Sequence, residues 1–129
     1  MRYMAIDYGE KRVGVASTDE TGHFALPRIV ISNDQNLLEN ILKFKSENQI
    51  DKIVLGESKD FKGNANPIQT KIHDLKNELE NVGVEVIFHP EIMTTVEARH
   101  LQGQTDMTDA SAAALILKSF LETVYNKGT

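Results

Sequence analysis

The order of apolar segments along the chain constrains its fold more than any other feature. Three short strand patterns come first, over residues 2–7, 13–18 and 24–31. Two further apolar strands, over residues 53–55 and 84–88, alternate with segments whose apolar residues recur at helical spacing. Strands joined by tight turns pair antiparallel, whereas strands joined through a helix pair parallel. The sequence therefore predicts an α/β fold: a mixed sheet of about five strands with helices on both faces.

Helix signals occupy the segments between and after these strands. Residues 32–35 form a Ser-Asn-Asp-Gln capping box ahead of an apolar helical stripe. Pro67 stands at a first helical position and opens a second helix. Residues 94–97, Thr-Thr-Val-Glu, form another capping box and predict a short helix. Thr108 is predicted to cap a last helix over residues 109–125.

Two residues predict how individual strands are placed. Gly14 lies inside the second strand pattern, where a glycine indicates the close approach of another backbone. Pro27 lies inside the third pattern and cannot donate a hydrogen bond to a neighbouring strand. The third strand is therefore expected at an edge of the sheet or at a bulge.

Composition limits the class of protein and its partners. The 129 residues predict a single domain, over residues 1–129, with a core of its own. The absence of cysteine excludes disulfides and thiolate metal sites. No apolar stretch is long enough to span a bilayer, so we expect a cytoplasmic protein without a membrane partner. The net charge is -5 and no Lys/Arg cluster stands out, so any nucleic acid would be held by local basic side chains or bridging cations.

Acidic residues fall where predicted strands end and where the last helix begins. Asp7 closes the first strand, Glu57 and Glu91 follow the two later strands, and Asp109 opens the last helix three residues after Asp106. Ligands of open α/β sheets gather beyond the carboxyl ends of parallel strands. Carboxylate oxygens suit Mg²⁺ or Mn²⁺. Two such ions can activate a water and stabilise the leaving oxygen of a phosphodiester.

Five segments, spread nearly end to end along the chain, resemble the motifs of one known family. They are AIDYGEKRVGVAS at residues 5–17, ALP at 25–27, IVLGESKDFKGNANPIQ at 53–69, PEIMTTVEARHL at 90–101 and DASAAALILKSFL at 109–121. Together they resemble the YqgF group, Holliday-junction-resolvase-like proteins of the ribonuclease-H-like fold that are also described as proposed pre-ribosomal RNA nucleases. The opening and closing segments carry most of the specificity.

The resemblance implies a metal-dependent nuclease that acts on structured RNA or branched DNA. It implies that Asp7 and Asp109 are metal ligands and that Glu91 is the middle carboxylate of the catalytic set, with Mg²⁺ or Mn²⁺ as cofactor. Gly9 would let the chain reverse without a side chain beside the metal. The oligomeric state stays open.

The site residues also carry alternatives. Glu57 is a second candidate for the middle carboxylate, and Asp106 forms an Asp-x-x-Asp spacing with the last acid. Pro90 and Ile92 stand where the family has Asp and Arg around its middle Glu, and residues 102–108 carry no Lys or Arg. These departures favour an alternative function, a non-catalytic nucleic-acid or ribosome-associated module that kept the fold.

Basic and hydroxyl residues near the acids are candidates for binding substrate phosphates. Lys11 and Arg12 follow the first turn, and Thr94 and Thr95 follow the fifth strand. The competing interpretations are a hydrated turn for the basic pair and helix caps for the threonines. His89 is a candidate acid or base, although a polar residue at a strand end is the preferred interpretation.

A third function class, phosphotransfer of the actin and sugar-kinase kind, shares one feature with this chain. Its first phosphate loop also has Asp-x-Gly after a strand, as residues 7–9 do. Those proteins enclose ATP between two lobes, and this chain supplies one. The nuclease interpretation is therefore preferred.

Overall fold

The computed structural model of the protein describes residues 1–57, 67–90 and 106–126. Within them, three strands precede an alternation of helices and strands, as the sequence predicts. In chain order the elements are β1 (Tyr3–Tyr8), β2 (Arg12–Thr18), β3 (Ala25–Ser32), α1 (Leu37–Glu47), β4 (Lys52–Glu57), α2 (Pro67–Asn81), β5 (Val86–Pro90) and α3 (Asp106–Asn126). The short helix predicted to open with the capping box at residues 94–97 lies outside the described residues.

The five strands form one mixed sheet in the order β3-β2-β1-β4-β5. The first three strands pair antiparallel, and β1, β4 and β5 pair parallel to one another. The parallel strands all end at one edge of the sheet, at Tyr8, Glu57 and Pro90, which we call the carboxyl edge. The acids that follow or close these strands are thereby directed to a common edge.

Each face of the sheet is covered by helices, because alternate residues of each strand point to opposite sides. Met4, Ile6 and the same-face residues of β4 pack under α1 and α2. Ala5, Ala16 and Val54 pack under α3. The small side chains of the two alanines let α3 lie close to the strands. Among the described residues, we find no helix with the length and apolar character to cross a membrane.

The predictions for Gly14 and Pro27 are confirmed. A Cβ at Gly14 would overlap the backbone carbonyl of Asp109, so α3 packs directly on β2 at this point. Pro27 lies in β3, which is an edge strand, next to a register shift between Val15 and Ala16 of β2. The proline thus occupies a position where a missing donor costs little.

Two predicted helix starts are wrong. Ser32 does not cap α1, because it still pairs with Arg12 in the ladder between β2 and β3; α1 begins at Leu37, after Asn36. Thr108 does not cap α3, because this helix begins one turn earlier than predicted, at Asp106. Because of this added turn, the backbone of Asp109, which packs on β2, lies within the helix.

Candidate active site at the carboxyl edge

Asp7 is a buried carboxylate on the face of the sheet that α3 covers. Its side chain follows Tyr3 and Ala5 along β1, and both of these pack against α3. Asp7 is only 2% exposed. Burying a carboxylate costs free energy unless nearby groups compensate for its charge. A buried acid at the end of a strand is therefore a candidate functional residue.

Asp109 meets Asp7 across a glycine. In the pairing of β1 with β2, Asp7 stands opposite Gly14, and neighbouring Cα atoms of such pairs are about 4.5–5.5 Å apart. The backbone of Asp109 lies on Gly14 from the α3 side. Because Gly14 has no side chain, the two aspartates border the same bare position on the sheet. The structure thus places two of the acids predicted from sequence beside the same glycine.

Arg12 forms an ion pair with Asp109 that the sequence analysis missed. The Arg12 Nε lies 3.2 Å from the Asp109 Oδ2, with the side chains 38% and 15% exposed. Arg12 and Gly14 are two residues apart on β2 and so share the face beneath α3. The two-residue spacing of Arg12 and Gly14 is the sequence signal for this ion pair. It predicts the contact only when α3 is known to cross β2.

The turn between β1 and β2 is held by Asn33, another residue that the sequence analysis missed. The Asn33 side-chain amide donates a 2.7 Å hydrogen bond to the carbonyl of Gly9, and its backbone N–H donates a 3.0 Å bond to the carbonyl of Lys11. A Cβ at Gly9 would lie 2.5 Å from the carbonyl oxygen of Arg12. The glycine is thus required by the tightness of the turn. Lys11 is exposed on this turn.

Glu57 lies on the other face of the sheet. It is the last residue of β4, opposite Pro90 of β5. Alternation along β4 places it on the face of Ile53 and Leu55, which pack under α1 and α2. Asp7 points to the α3 face. The sheet itself therefore separates Glu57 from the two aspartates.

The remaining predicted site residues are not described. Glu91, Thr94 and Thr95 lie outside the described residues, and Glu91 directly follows Pro90, where β5 ends. Asp106 is the first residue of α3, but its side chain is not described. Within the described ranges, no three His, Cys, Asp or Glu side chains form a group that could hold a metal. This part of the chain therefore supplies one pair of candidate ligands, the aspartates of β1 and α3.

His89 fits the structural interpretation preferred from sequence. It lies on β5 beside Gly56. Its Nε2 is 2.9 Å from the Ser119 hydroxyl on α3, and its ring meets the edge of Phe120. Burial lowers the pKa of His89, which favours the neutral ring. His89 thus ties the end of β5 to α3.

The donor set at the carboxyl edge fits a hard divalent cation. Asp7 and Asp109 offer carboxylate oxygens, which Mg²⁺ and Mn²⁺ prefer, and the chain has no cysteine to favour a softer metal. A cation there would also compensate for the charge of a buried carboxylate. The residues present are therefore compatible with the metal that the sequence predicts.

Both curated relatives and solved structures are similar to this chain over nearly its full length. A protein of Clostridium tetani named "Putative pre-16S rRNA nuclease" is 34% identical, with 98% of this chain and 100% of the relative covered. A protein of the same name from Escherichia coli is 32% identical over 95% of this chain and 96% of its own. The Thermus thermophilus RuvC bound to a Holliday junction has a TM-score of 0.61 at 14% identity, covering 97% and 96% of the two chains.

The structural likeness shows the fold alone, because the sequence identity is low. It confirms the prediction of a ribonuclease-H-like fold, which RuvC and related resolvases have. The fowlpox virus resolvase in complex with Holliday junction DNA gives a TM-score of 0.62 at 14% identity, over 96% of this chain and 99% of the resolvase. The sequence match is more specific, since the family model described as "RuvX: Holliday junction resolvase" matches residues 1–123. The chain therefore belongs to the RuvX family.

Proposed function

We propose that the protein is a divalent-metal-dependent nuclease that hydrolyses phosphodiester bonds in nucleic acid. Membership of the RuvX family supports this function. The structural observation that supports it is that Asp7, buried on the α3 face, and Asp109 both adjoin Gly14. The family match over residues 1–123 also supports the predicted single domain over residues 1–129.

The proposed metal ligands are Asp7, Asp109 and Glu91, with Mg²⁺ or Mn²⁺ as the ion. Glu91 is preferred to Glu57 because it follows β5 at the carboxyl edge, whereas alternation turns Glu57 to the opposite face. Asp106 remains a secondary candidate. When bound, the ions supply an activated water and stabilise the leaving oxygen.

The protein's own residues would orient the substrate and the ligands. Asp109 is aligned by the packing of α3 on Gly14, and Asp7 is held by the sheet. Lys11, exposed on the adjacent turn, is placed to bind a substrate phosphate, and Asn33 keeps that turn in shape. Thr94 and Thr95 are proposed as further phosphate contacts because of their helix-cap motif.

We propose structured RNA, of the kind that precedes mature ribosomal RNA, as the substrate. Three relatives named for pre-16S rRNA are 30–34% identical to this chain over at least nine-tenths of it. The solved resolvases named for Holliday junctions are only 14–16% identical. Branched DNA is the competing substrate, and a parallel assay with a four-way junction would identify it.

Metal binding and cleavage, measured together, test the proposal. The assay combines calorimetric titration of Mn²⁺ with cleavage of a pre-16S rRNA fragment, using wild type, Asp7→Asn and Asp109→Asn. Both variants are expected to lose Mn²⁺ binding and cleavage. Asp74→Asn, an exposed change on α2, is the matched control and should keep both. Wild-type activity in Asp7→Asn would refute the proposed site.

The alternative is a non-catalytic module that binds nucleic acid or ribosomes. Pro90 and Ile92, which replace the Asp and Arg of the family motif around Glu91, favour it. In that case the protein would bind RNA with no Mn²⁺ binding and no cleavage. The same titration therefore separates the two functions.

A further inference from the structure

The Arg12–Asp109 ion pair joins a proposed metal ligand to a basic residue on the neighbouring strand. The nuclease proposal assigns Asp109 to a metal ion, and Arg12 is a candidate from the sequence for binding a substrate phosphate. In the structure the Nε of Arg12 lies 3.2 Å from Oδ2 of Asp109. The side chain of Asp109 is mostly buried, whereas that of Arg12 is more than a third exposed. The guanidinium is therefore the more exposed partner of the pair.

The two backbones that carry this pair are held in contact. Arg12 lies two residues before Gly14 on β2, and the carbonyl of Asp109 packs on that glycine. The first turn of α3 cannot withdraw from β2 without losing this contact. A change of partner at Asp109 therefore involves movement of side chains and not of the helix.

A divalent cation and Arg12 compete for Asp109. A guanidinium nitrogen 3.2 Å from the Asp109 Oδ2 occupies the space beside that oxygen which a bound metal ion would take. The guanidinium charge also repels a cation placed between Asp7 and Asp109. With Arg12 in place, the three side chains sum to one negative charge, and without it they sum to two.

We propose that Arg12 is an exchangeable counter-ion of the active site, which neutralises Asp109 before metal binds and turns to the substrate phosphate afterwards. This inference rests on the proposed function, because it requires a cation at Asp109. Arginine suits both roles, since its planar fork binds carboxylate and phosphate alike. Its partial exposure, next to Lys11 on the exposed turn, places the released group on the substrate side.

The exchange couples metal binding to nucleic-acid binding. Release of Asp109 to a cation frees Arg12 for a phosphate, and a phosphate that holds Arg12 makes Asp109 available to a cation. Thermodynamic linkage requires each ligand to tighten the binding of the other by the same factor. The acidic protein would thereby bind nucleic acid well only when it carries its metal.

Mn²⁺ affinity without nucleic acid is the first test. Arg12→Gln removes the charge and keeps a stem of similar shape. We expect its Mn²⁺ dissociation constant to fall at least about fivefold, since a unit charge about 4 Å away contributes that much even in water. Lys11→Gln, the matched control, removes the neighbouring exposed charge and should change the constant by less than about twofold in physiological salt. An unchanged or weaker affinity in Arg12→Gln, or an equal gain in Lys11→Gln, would overturn the proposal.

A second measurement uses the wild-type protein and does not depend on the variant folding. The Nε–Hε resonance of Arg12 is followed by NMR during titration with Mg²⁺. It should shift at the same Mg²⁺ concentration as the backbone amide of Asp109, and Asp109→Asn should abolish both shifts. If Mg²⁺ shifts Asp109 and leaves the Arg12 side chain unmoved, the exchange is wrong while the proposed metal site stands. If Mg²⁺ shifts neither residue, the metal site and the exchange both fail.

Discussion

Gly14→Ala tests the contact that holds the two aspartates together. The added Cβ would overlap three backbone atoms of α3: the carbonyl oxygen and carbon of Asp109 and the nitrogen of Ala110. A flexible side chain could move aside, but a helix backbone cannot without shifting the whole first turn. The substitution should therefore push the start of α3 away from β2.

The cost is estimated from overpacking in well-packed cores. Such insertions destabilise by about 1–3 kcal/mol, and a clash with rigid backbone belongs at the upper end, about 3 kcal/mol. At about 4 °C per kcal/mol for a domain of this size, the Tm falls by about 12 °C. The shifted helix should also weaken Mn²⁺ binding at temperatures where the variant is still folded, because Asp109 is carried away from Asp7.

The assay is thermal unfolding followed by circular dichroism in EDTA, together with Mn²⁺ titration at low temperature. Gly83→Ala is the control: Gly83 has a φ of 89°, and a Cβ there would meet no described atom within 4 Å. It should cost only the strain of a left-handed residue, about 1–2 kcal/mol. A Tm of Gly14→Ala within about 2 °C of wild type, a shift of less than 1 kcal/mol, would refute the contact and remove the main support for the site.

Three further predictions concern the same region. Asp7→Asn should leave the Tm in EDTA unchanged or raise it, because it relieves repulsion with Asp109 at a buried position; a clear loss would make Asp7 a structural residue. Asn33→Ala should lower the free energy of unfolding in urea by about 1 kcal/mol, through loss of the hydrogen bond to Gly9, and an unchanged value would show that the turn holds itself. Burial lowers the pKa of His89, so the folded state takes up this proton less readily than the unfolded state, and stability falls as the pH drops below the unfolded value of about 6.5. His89→Gln should therefore flatten the pH dependence of urea unfolding in that range, and an unaltered dependence would exclude His89 as its source.

The sequence by itself determined the order and type of the elements, because these depend on local periodicity. Strand patterns of period two and helical stripes predicted β1 to β5 and the long helices in the observed order. Gly14 and Pro27 further indicated a close backbone approach and an edge strand, since glycine and proline have few other reasons to stand in strands. The family resemblance, based on short motifs, was also confirmed.

Element boundaries were less accurate, because local signals compete with long-range pairing. Ser32 has the sequence of a helix cap, yet its backbone belongs to the ladder with Arg12. Thr108 has the sequence of a helix cap, yet α3 already begins at Asp106. The backbone of Asp109, inside this helix, packs on Gly14. In both cases a contact with a distant residue outweighed a local preference.

Only the tertiary structure decided which side chains meet at the site. The pairing of Arg12 with Asp109 joins residues near opposite ends of the chain, and the bond from Asn33 holds a turn formed more than twenty residues earlier. The face to which Glu57 points likewise follows from the register of β4 between its neighbours. A shift of one residue in a strand reverses the face of every side chain, and register is determined by the packing of the whole sheet against its helices. Local sequence carries no record of that packing, so these contacts became visible only in the folded chain.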